Sequence, residues 1–278
     1  MNLRNWITLA AGSAVTAASA RAVAGAPDEW QLGMQAAATP VMERITGLHD
    51  ILLWVTIAIV IFVTGLLGYT LWRFSASRNP TPSQTTHNTL IEMIWTVVPV
   101  IILVLIAVPS FKLLYFAEKV PNADITVKAI GNQWYWVYEY PDHGKFTFES
   151  RMIRDRKDLK PGQPYLLETD TSVVVPVNTT VRVQVTAVNV IHAWAIPAFG
   201  VKIDAVPGRL NETWFRATQE GTYYGQCSEL CGVEHAFMPI KVEVVSREKF
   251  GAWVAAKKQA AGIEPRPSDR TIAATDNR

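Results

Sequence analysis

The sequence predicts a membrane α-hairpin followed by a small all-β domain, a β-sandwich or Greek-key barrel, and three observations carry that fold class. Residues 51–72 and 93–111 are uncharged runs, and at 1.5 Å per residue each reaches roughly 30 Å, enough to cross the hydrocarbon of a bilayer. Beyond residue 121 the pattern changes to a period of two, cleanest where Val181, Val183 and Val185 alternate with Arg182, Gln184 and Thr186. Pro, Gly and Asn turns cut that region into short segments of strand length.

In chain order, the first block is "MNLRNWITLAAGSAVTAASARAVAGA". It has a basic start, an apolar run from Ile7 to about Ala18 that is shorter than the ~20 residues of a span, and small-residue sites at "ASA" and "AVA". Residues 1–24 are therefore expected to be a cleaved secretory signal, with Ala24 preferred over Ala20 as its end. Its removal takes away Arg4 and Arg21, leaving 24 basic residues against 24 acidic ones. A neutral mature chain gives no support to nucleic-acid binding.

Residues 25–50 follow as an exported N-terminal segment, and residues 51–112 as the two-helix anchor. The connecting loop "RFSASRNPTPSQTTHNTLIE" carries Arg73 and Arg78 directly after the first run, and its only acid, Glu92, lies against the second. Basic residues stay cytoplasmic, which agrees with a signal that sends the N-terminus outward. The expected location is a bacterial inner membrane, crossed twice, with the N-terminus and the C-terminal domain in the periplasm.

The β domain is expected over residues 121–246, from "DITVKAI", "QWYWVYEY", "KFTFES", "YLLETDTSVVVP", "TVRVQVTA", "ETWFRAT", "GTYYGQ" and "IKVEVVS". Residues 247–278 read as a surface helix, "REKFGAWVAAKKQAAG", and a disordered tail, "IEPRPSDRTIAATDNR". No internal repeat is visible.

The chemistry concentrates in "GTYYGQCSELCGVEHAFMPIKVEV", residues 221–244, which holds both cysteines of the chain together with His235 and Met238. Exported cysteines usually pair, but a Cys227–Cys231 disulfide would close too small a loop to stabilise much, and it leaves His235 and Met238 unexplained. Structural zinc suits four N/S ligands, yet the neighbouring thioether is a soft donor that favours copper. A mononuclear blue-copper site needs a single cysteine, so here there is one too many. Two coppers bridged by both thiolates would each need an imidazole. Of the five histidines, His49 and His87 lie at the membrane helices and His143 in the turn "PDHGK". His192 in "VTAVNVIHAWAIPAFG" follows a strand and precedes a Pro-Gly loop, a suitable place for a ligand at the rim of a β-sandwich.

These residues carry a resemblance. "IHAWAIPAFGVKIDAVPGR" and "GTYYGQCSELCGVEHAFMPI" resemble subunit II of cytochrome c oxidase, and the likeness runs from about residue 40 to 255 through "IEMIWTVVPVIILVLIAVPSFKLLY" and "GNQWYWVYEYP". The resemblance implies a cupredoxin-like domain with a dinuclear copper centre, CuA. Its bridging ligands would be Cys227 and Cys231, its terminal imidazoles His192 and His235, its weak thioether Met238, and its carbonyl ligand the backbone of Glu229. The Glu229 side chain would bind a magnesium ion shared with subunit I. Trp134 would receive electrons from a c-type cytochrome, docked by Glu139, Asp142 and Asp170, and Glu92 would mark the entrance of a proton pathway into subunit I. The implied function is to pass electrons from cytochrome c to haem in subunit I, where haem and CuB reduce oxygen to water with proton pumping. Further oxidase subunits and membrane lipid complete the implied partners.

Two positions depart from many relatives: Asn132 stands where histidine is common, and Asn189 where an acid is common. Residues 122–246 hold 14 acids and 12 bases, so any steering of a basic donor must come from a local patch. Three rival readings are weaker. A quinol oxidase subunit II lacks the copper ligands, whereas all six positions are filled here. A stand-alone copper carrier would need neither Glu92 nor the magnesium-facing Glu229, and a zinc-stabilised scaffold would not need Met238. No "CxxCH" haem-attachment motif is present.

Overall fold

The computed structural model describes residues 25–263. The expected signal (1–24) and all but the first residue of the expected C-terminal tail lie outside the described residues.

Helix α1 spans Pro40–Arg73 and α2 spans Thr89–Glu118, so both extend past the uncharged runs that mark them in sequence. Each start is chemically defined. The Thr39 side chain accepts from Met42 N ahead of Pro40, whose missing N–H costs nothing in the first turn, and Asn88 Oδ1 accepts from Leu90 N and Ile91 N. Only Val41 and Met42 of α1 are buried, and no residue of α2 is. Large apolar side chains such as Trp54, Phe62, Trp95 and Leu105 are exposed around both helices. Helices apolar on every side belong in lipid or against another membrane protein.

Ten strands follow: β1 Ile125–Asn132, β2 Tyr135–Tyr140, β3 Phe146–Ser150, β4 Val173–Pro176, β5 Val181–Ala187, β6 His192–Ile196, β7 Val201–Ala205, β8 Asn211–Phe215, β9 Gly221–Gln226 and β10 Pro239–Val245. They form a five-stranded sheet in the order β3-β2-β1-β5-β8, a three-stranded sheet β4-β10-β9, and the β6-β7 hairpin. Strands β1 and β5 run parallel, as do β4 and β10, so the connections cross over as in Greek-key domains. The inward faces bury Trp136, Tyr138, Tyr140, Trp194, Ile196, Phe199 and Phe215 in one core. Helix α3, Arg247–Ala260, is capped by Ser246 and packs Phe250, Trp253 and Val254 against that core.

Strands β6 and β7 were absent from the sequence-based list. Every residue of β6 is buried, so the alternation that reveals a half-exposed strand is missing there. The long segment "YLLETDTSVVVP" contributes only its last four residues as strand.

The hairpin and the β domain meet at the N-terminal end of α1. Ala38 N donates to Ala198 O at 2.9 Å, Thr218 N donates to Ala38 O at 3.0 Å, and Thr39 Oγ1 donates to Phe199 O at 2.7 Å. A Cβ on Gly200 would lie 2.7 Å from Ile45 Cδ1 and 3.0 Å from Met42 Cα, so only glycine lets the 3-10 turn after β6 approach the helix this closely. At the other helix, Phe116 meets Trp214 edge to face at 5.4 Å, with the Arg44 guanidinium 3.4 Å from the Phe116 ring centre.

Candidate metal centre

The site forms where β6 begins beside the loop joining β9 to β10. Gly225 permits the approach of these strands, because a Cβ there would fall 1.8 Å from the Ala195 carbonyl oxygen. Ser228 N donates to Ala193 O at 3.1 Å and Cys227 N to Met238 O at 3.2 Å, which ties the loop to β6 and its two ends to each other. His192 is thereby held over the cysteines. Its ring lies against Gly131 of β1, where a Cβ would come within 2.7 Å of His192 Cδ2.

The donor atoms converge. Cys227 Sγ and Cys231 Sγ are 3.8 Å apart, and both cysteines are buried and free. His192 Nδ1 lies 3.8 Å from Cys227 Sγ, His235 Nδ1 3.6 Å from Cys231 Sγ, and Met238 Sδ 3.6 Å from Cys231 Sγ. The Glu229 carbonyl oxygen is 3.3 Å from Cys227 Sγ. His192, Cys227 and Cys231 place one ligand atom each within 4.8 Å of one another. Nε2 of His192 is buried with no hydrogen-bond partner, whereas Nδ1 faces Cys227 Sγ.

This donor set fits a soft metal. Sulfurs about 3.8 Å apart are spaced as two thiolates sharing one ion at ~2.3 Å each with a near-tetrahedral angle between them. A disulfide would need the sulfurs at about 2.05 Å. Burial, and then the neighbouring Cys227, push the Cys231 thiol up to about 12, so two thiolates coexist here only with cations between them. Burial, followed by the nearby His235, lowers the His192 pKa and keeps its imidazole neutral with a lone pair to donate. The cluster is consistent with a copper site.

Trp134, in the turn between β1 and β2, is half-buried against that loop. Its Nε1 donates to Cys231 O at 3.2 Å, and a Cβ on Gly232 would touch its ring at 3.0 Å. Trp136 lies fully buried beneath, donating from Nε1 to Met238 O at 3.4 Å with its ring centre 6.0 Å from that of His192. The two indoles of one sequence motif therefore hold the metal loop at two points, Cys231 in its interior and Met238 at its end.

The three acids expected at the docking surface are not gathered around Trp134. Glu139 faces Lys128 at 3.8 Å, and Asp142 accepts from Thr126 N at 2.7 Å beyond the far end of β2. Asp170 is nearer, accepting from Arg151 N at 2.8 Å, while the Arg151 guanidinium stacks 3.6 Å from the Tyr135 ring centre. The Glu229 side chain is exposed beside the site, and Glu92 lies in the first turn of α2, remote in chain and fold.

Sequence reasoning did not anticipate the framework of the site. Arg154 grips Glu234, the residue before His235, through contacts of 3.2 and 2.5 Å. Across the β9–β10 hairpin, buried Glu168 accepts from Tyr224 OH at 2.7 Å and pairs with Lys241. Gly131 and Gly225 exclude side chains where rings and backbone must meet. Such partners lie far apart in sequence, and no local pattern marks them.

A two-helix anchor joined to a β domain that presents thiols, imidazoles and a thioether at its rim defines a membrane protein of cupredoxin-like build with a candidate metal site. The chain matches the family described as cytochrome C oxidase subunit II, periplasmic domain, over residues 125–245, and its transmembrane-domain counterpart over residues 27–113. It is 56% identical over 238 residues to a protein of Rickettsia bellii named "Probable cytochrome c oxidase subunit 2", covering 86% of this chain and 88% of that one. With cytochrome c oxidase subunit 2 of Cereibacter sphaeroides it shares 46% identity over 271 residues, 91% of this chain and 88% of the relative. A crystal structure of the periplasmic domain of subunit II of cytochrome oxidase from Bradyrhizobium japonicum is 59% identical, covering 51% of this chain and 99% of that one, with a TM-score of 0.48. The chain belongs to the cytochrome c oxidase subunit II family, and so to a respiratory oxidase complex that it forms with other oxidase subunits.

Proposed function

We propose that this chain is the electron-accepting subunit of its oxidase, holding a dinuclear copper centre between Cys227, Cys231, His192, His235, Met238 and the Glu229 carbonyl. The single observation that carries this reading is the pair of free, buried thiols 3.8 Å apart with an imidazole nitrogen beside each. Held by these residues, a copper pair would supply one-electron transfer, taking up and releasing one electron at a time.

The chain's own residues supply the rest. The buried rim excludes water from His192 and both sulfurs. Half-buried Trp134, bonded to the carbonyl of Cys231, offers a short route from a docked cytochrome c to the centre. The assigned recipient of the electrons is haem in subunit I, where oxygen would be reduced to water with proton pumping. The exposed Glu229 carboxylate, a hard ligand beside soft ones, suits a magnesium ion at the boundary with subunit I. Glu92 is assigned to the entrance of a proton pathway, and Glu139, Asp142 and Asp170 to donor docking, with Asp170 best placed by its proximity to Tyr135. The β domain is assigned to the periplasm of a bacterial inner membrane, residues 1–24 to a cleaved signal, and residues 247–278 to a C-terminal extension.

Metal content and electron paramagnetic resonance of the full chain test the reading. Two coppers per chain with a seven-line hyperfine pattern, from one electron shared by two equivalent nuclei, is the expected result. One copper with four lines, or zinc with no signal, would overturn it.

A further inference from the structure

The Cys231 carbonyl receives two donors, Trp134 Nε1 at 3.2 Å and Gln133 Nε2 at 3.0 Å. The second is the end of a chain. Gln133 Oε1 accepts from Asn189 Nδ2 at 3.0 Å, and Asn189 Oδ1 accepts from Val190 N at 2.9 Å. Both termini of this chain are chemically unambiguous, since a backbone N–H only donates and a backbone carbonyl only accepts. The two amides between them therefore have one consistent orientation, running from Val190 N–H through Asn189 and Gln133 to Cys231 O.

We propose that Asn189 is a positioning residue for the metal centre, acting through Gln133 on the Cys231 carbonyl. The relay spans the site. Val190 lies two residues before His192 on one side, Cys231 is a sulfur donor on the other, and Gln133 adjoins Trp134 between them. Aligned N–H dipoles ending at Cys231 O hold the backbone of that cysteine and turn positive charge toward the centre, which favours its electron-richer state.

The amide at position 189 is what the relay requires. An aspartate there could still accept from Val190 N, but it has no N–H to offer Gln133. Gln133 would turn its own Nε2 toward the carboxylate, bringing Oε1 against the Cys231 carbonyl and leaving that oxygen with Trp134 alone. Alanine at 189 would remove the orienting partner but leave Gln133 free to keep its bond to Cys231. The relay thus predicts that the near-isosteric Asn189→Asp disturbs the centre more than Asn189→Ala, the reverse of what a packing role predicts.

This inference rests on the copper reading above. Its test is the reduction equilibrium of the copper pair, followed by near-infrared absorption against a redox mediator, with its paramagnetic resonance spectrum, in the assembled oxidase carrying the full chain. Asn189→Asp should shift the equilibrium toward the oxidised state by roughly two- to fivefold, the scale of one exposed hydrogen bond, and Asn189→Ala by less. In a Gln133→Ala background neither substitution should add a further shift. An Asn189→Asp shift that persists without Gln133 would mean its charge acts directly, and a larger effect of alanine would mean packing; either result overturns the relay. Wild-type copper signals with indifferent variants overturn this inference alone, while absence of copper from the wild-type chain overturns the parent reading and this one together.

Discussion

The metal rim and the membrane hairpin solve opposite problems. At the rim, the donors are held by neighbours within the chain: β6 touches β9, two indoles bond to the loop at Cys231 and Met238, and His192 lies against a glycine. In the hairpin almost nothing is fixed from within. Among the described residues α2 buries no side chain at all, and α1 buries only the two that meet the β domain. The rim's specificity is internal, whereas the hairpin leaves its apolar sides to surroundings outside the chain.

The strongest way to break the rim is to remove a shared donor. Cys227→Ser replaces a soft sulfur, a bridging ligand in the proposed centre, with a hard hydroxyl oxygen poorly matched to the other soft donors. The expected outcome is loss of the dinuclear signal altogether, with the β-rich circular dichroism of the chain retained, because Cys227 is one small residue of a core built on Trp136, Trp194 and Phe215. A mutant that still bound two coppers would show that the sulfurs are not the bridge.

Glycines sharpen the contrast. Gly131→Ala would place a methyl group 2.7 Å from His192 Cδ2 and 2.9 Å from Cγ, so the ring must move. Copper affinity should fall roughly 10- to 100-fold, as when other supports of a metal ligand are removed. Gly68→Ala in α1 meets nothing within 4 Å and slightly favours helix, so it should leave copper affinity unchanged. Competition with a copper chelator measures both, and equal losses would mean that the hairpin and rim are not independent.

The soft donors were legible in sequence because they are crowded into residues 227–238, where no ordinary core needs two cysteines, a histidine and a methionine. His192 was legible by elimination among few histidines. The anchors were legible because absence of charge over a span is a strong signal. What stayed hidden was relational. Strand β6 hides its alternation by being buried on both faces, and Arg154 finds Glu234 across 80 residues of chain. The surface acids were the hardest to read, since a docking field is a sum over the surface and each acid named from sequence also has a local partner.

A smaller effect is expected where the rim faces outward. Trp134→Phe removes the bond to Cys231 O but keeps an aromatic ring against Gly232. The copper spectrum should survive while turnover with cytochrome c falls steeply. Turnover with a small chemical reductant of the centre should fall far less. Normal cytochrome c turnover would remove Trp134 from the electron route and leave it, like Trp136, a brace for the loop.

The smallest expected effect on the rim comes from Glu92 in the hairpin. Glu92 lies in the first turn of α2, just after the Asn88 cap, where a carboxylate is favoured by the helix dipole by about 0.3–1 kcal/mol. That alone would account for its presence. If the dipole is its whole role, Glu92→Ala costs the helix that small amount and leaves oxidase turnover unchanged. If Glu92 opens a proton route into subunit I, steady-state turnover slows while the rate of copper reduction by cytochrome c stays the same. The second outcome is expected, because the two rates belong to different regions of the molecule: copper reduction depends on the self-contained rim, and proton supply on a hairpin whose chemistry is completed by its neighbour.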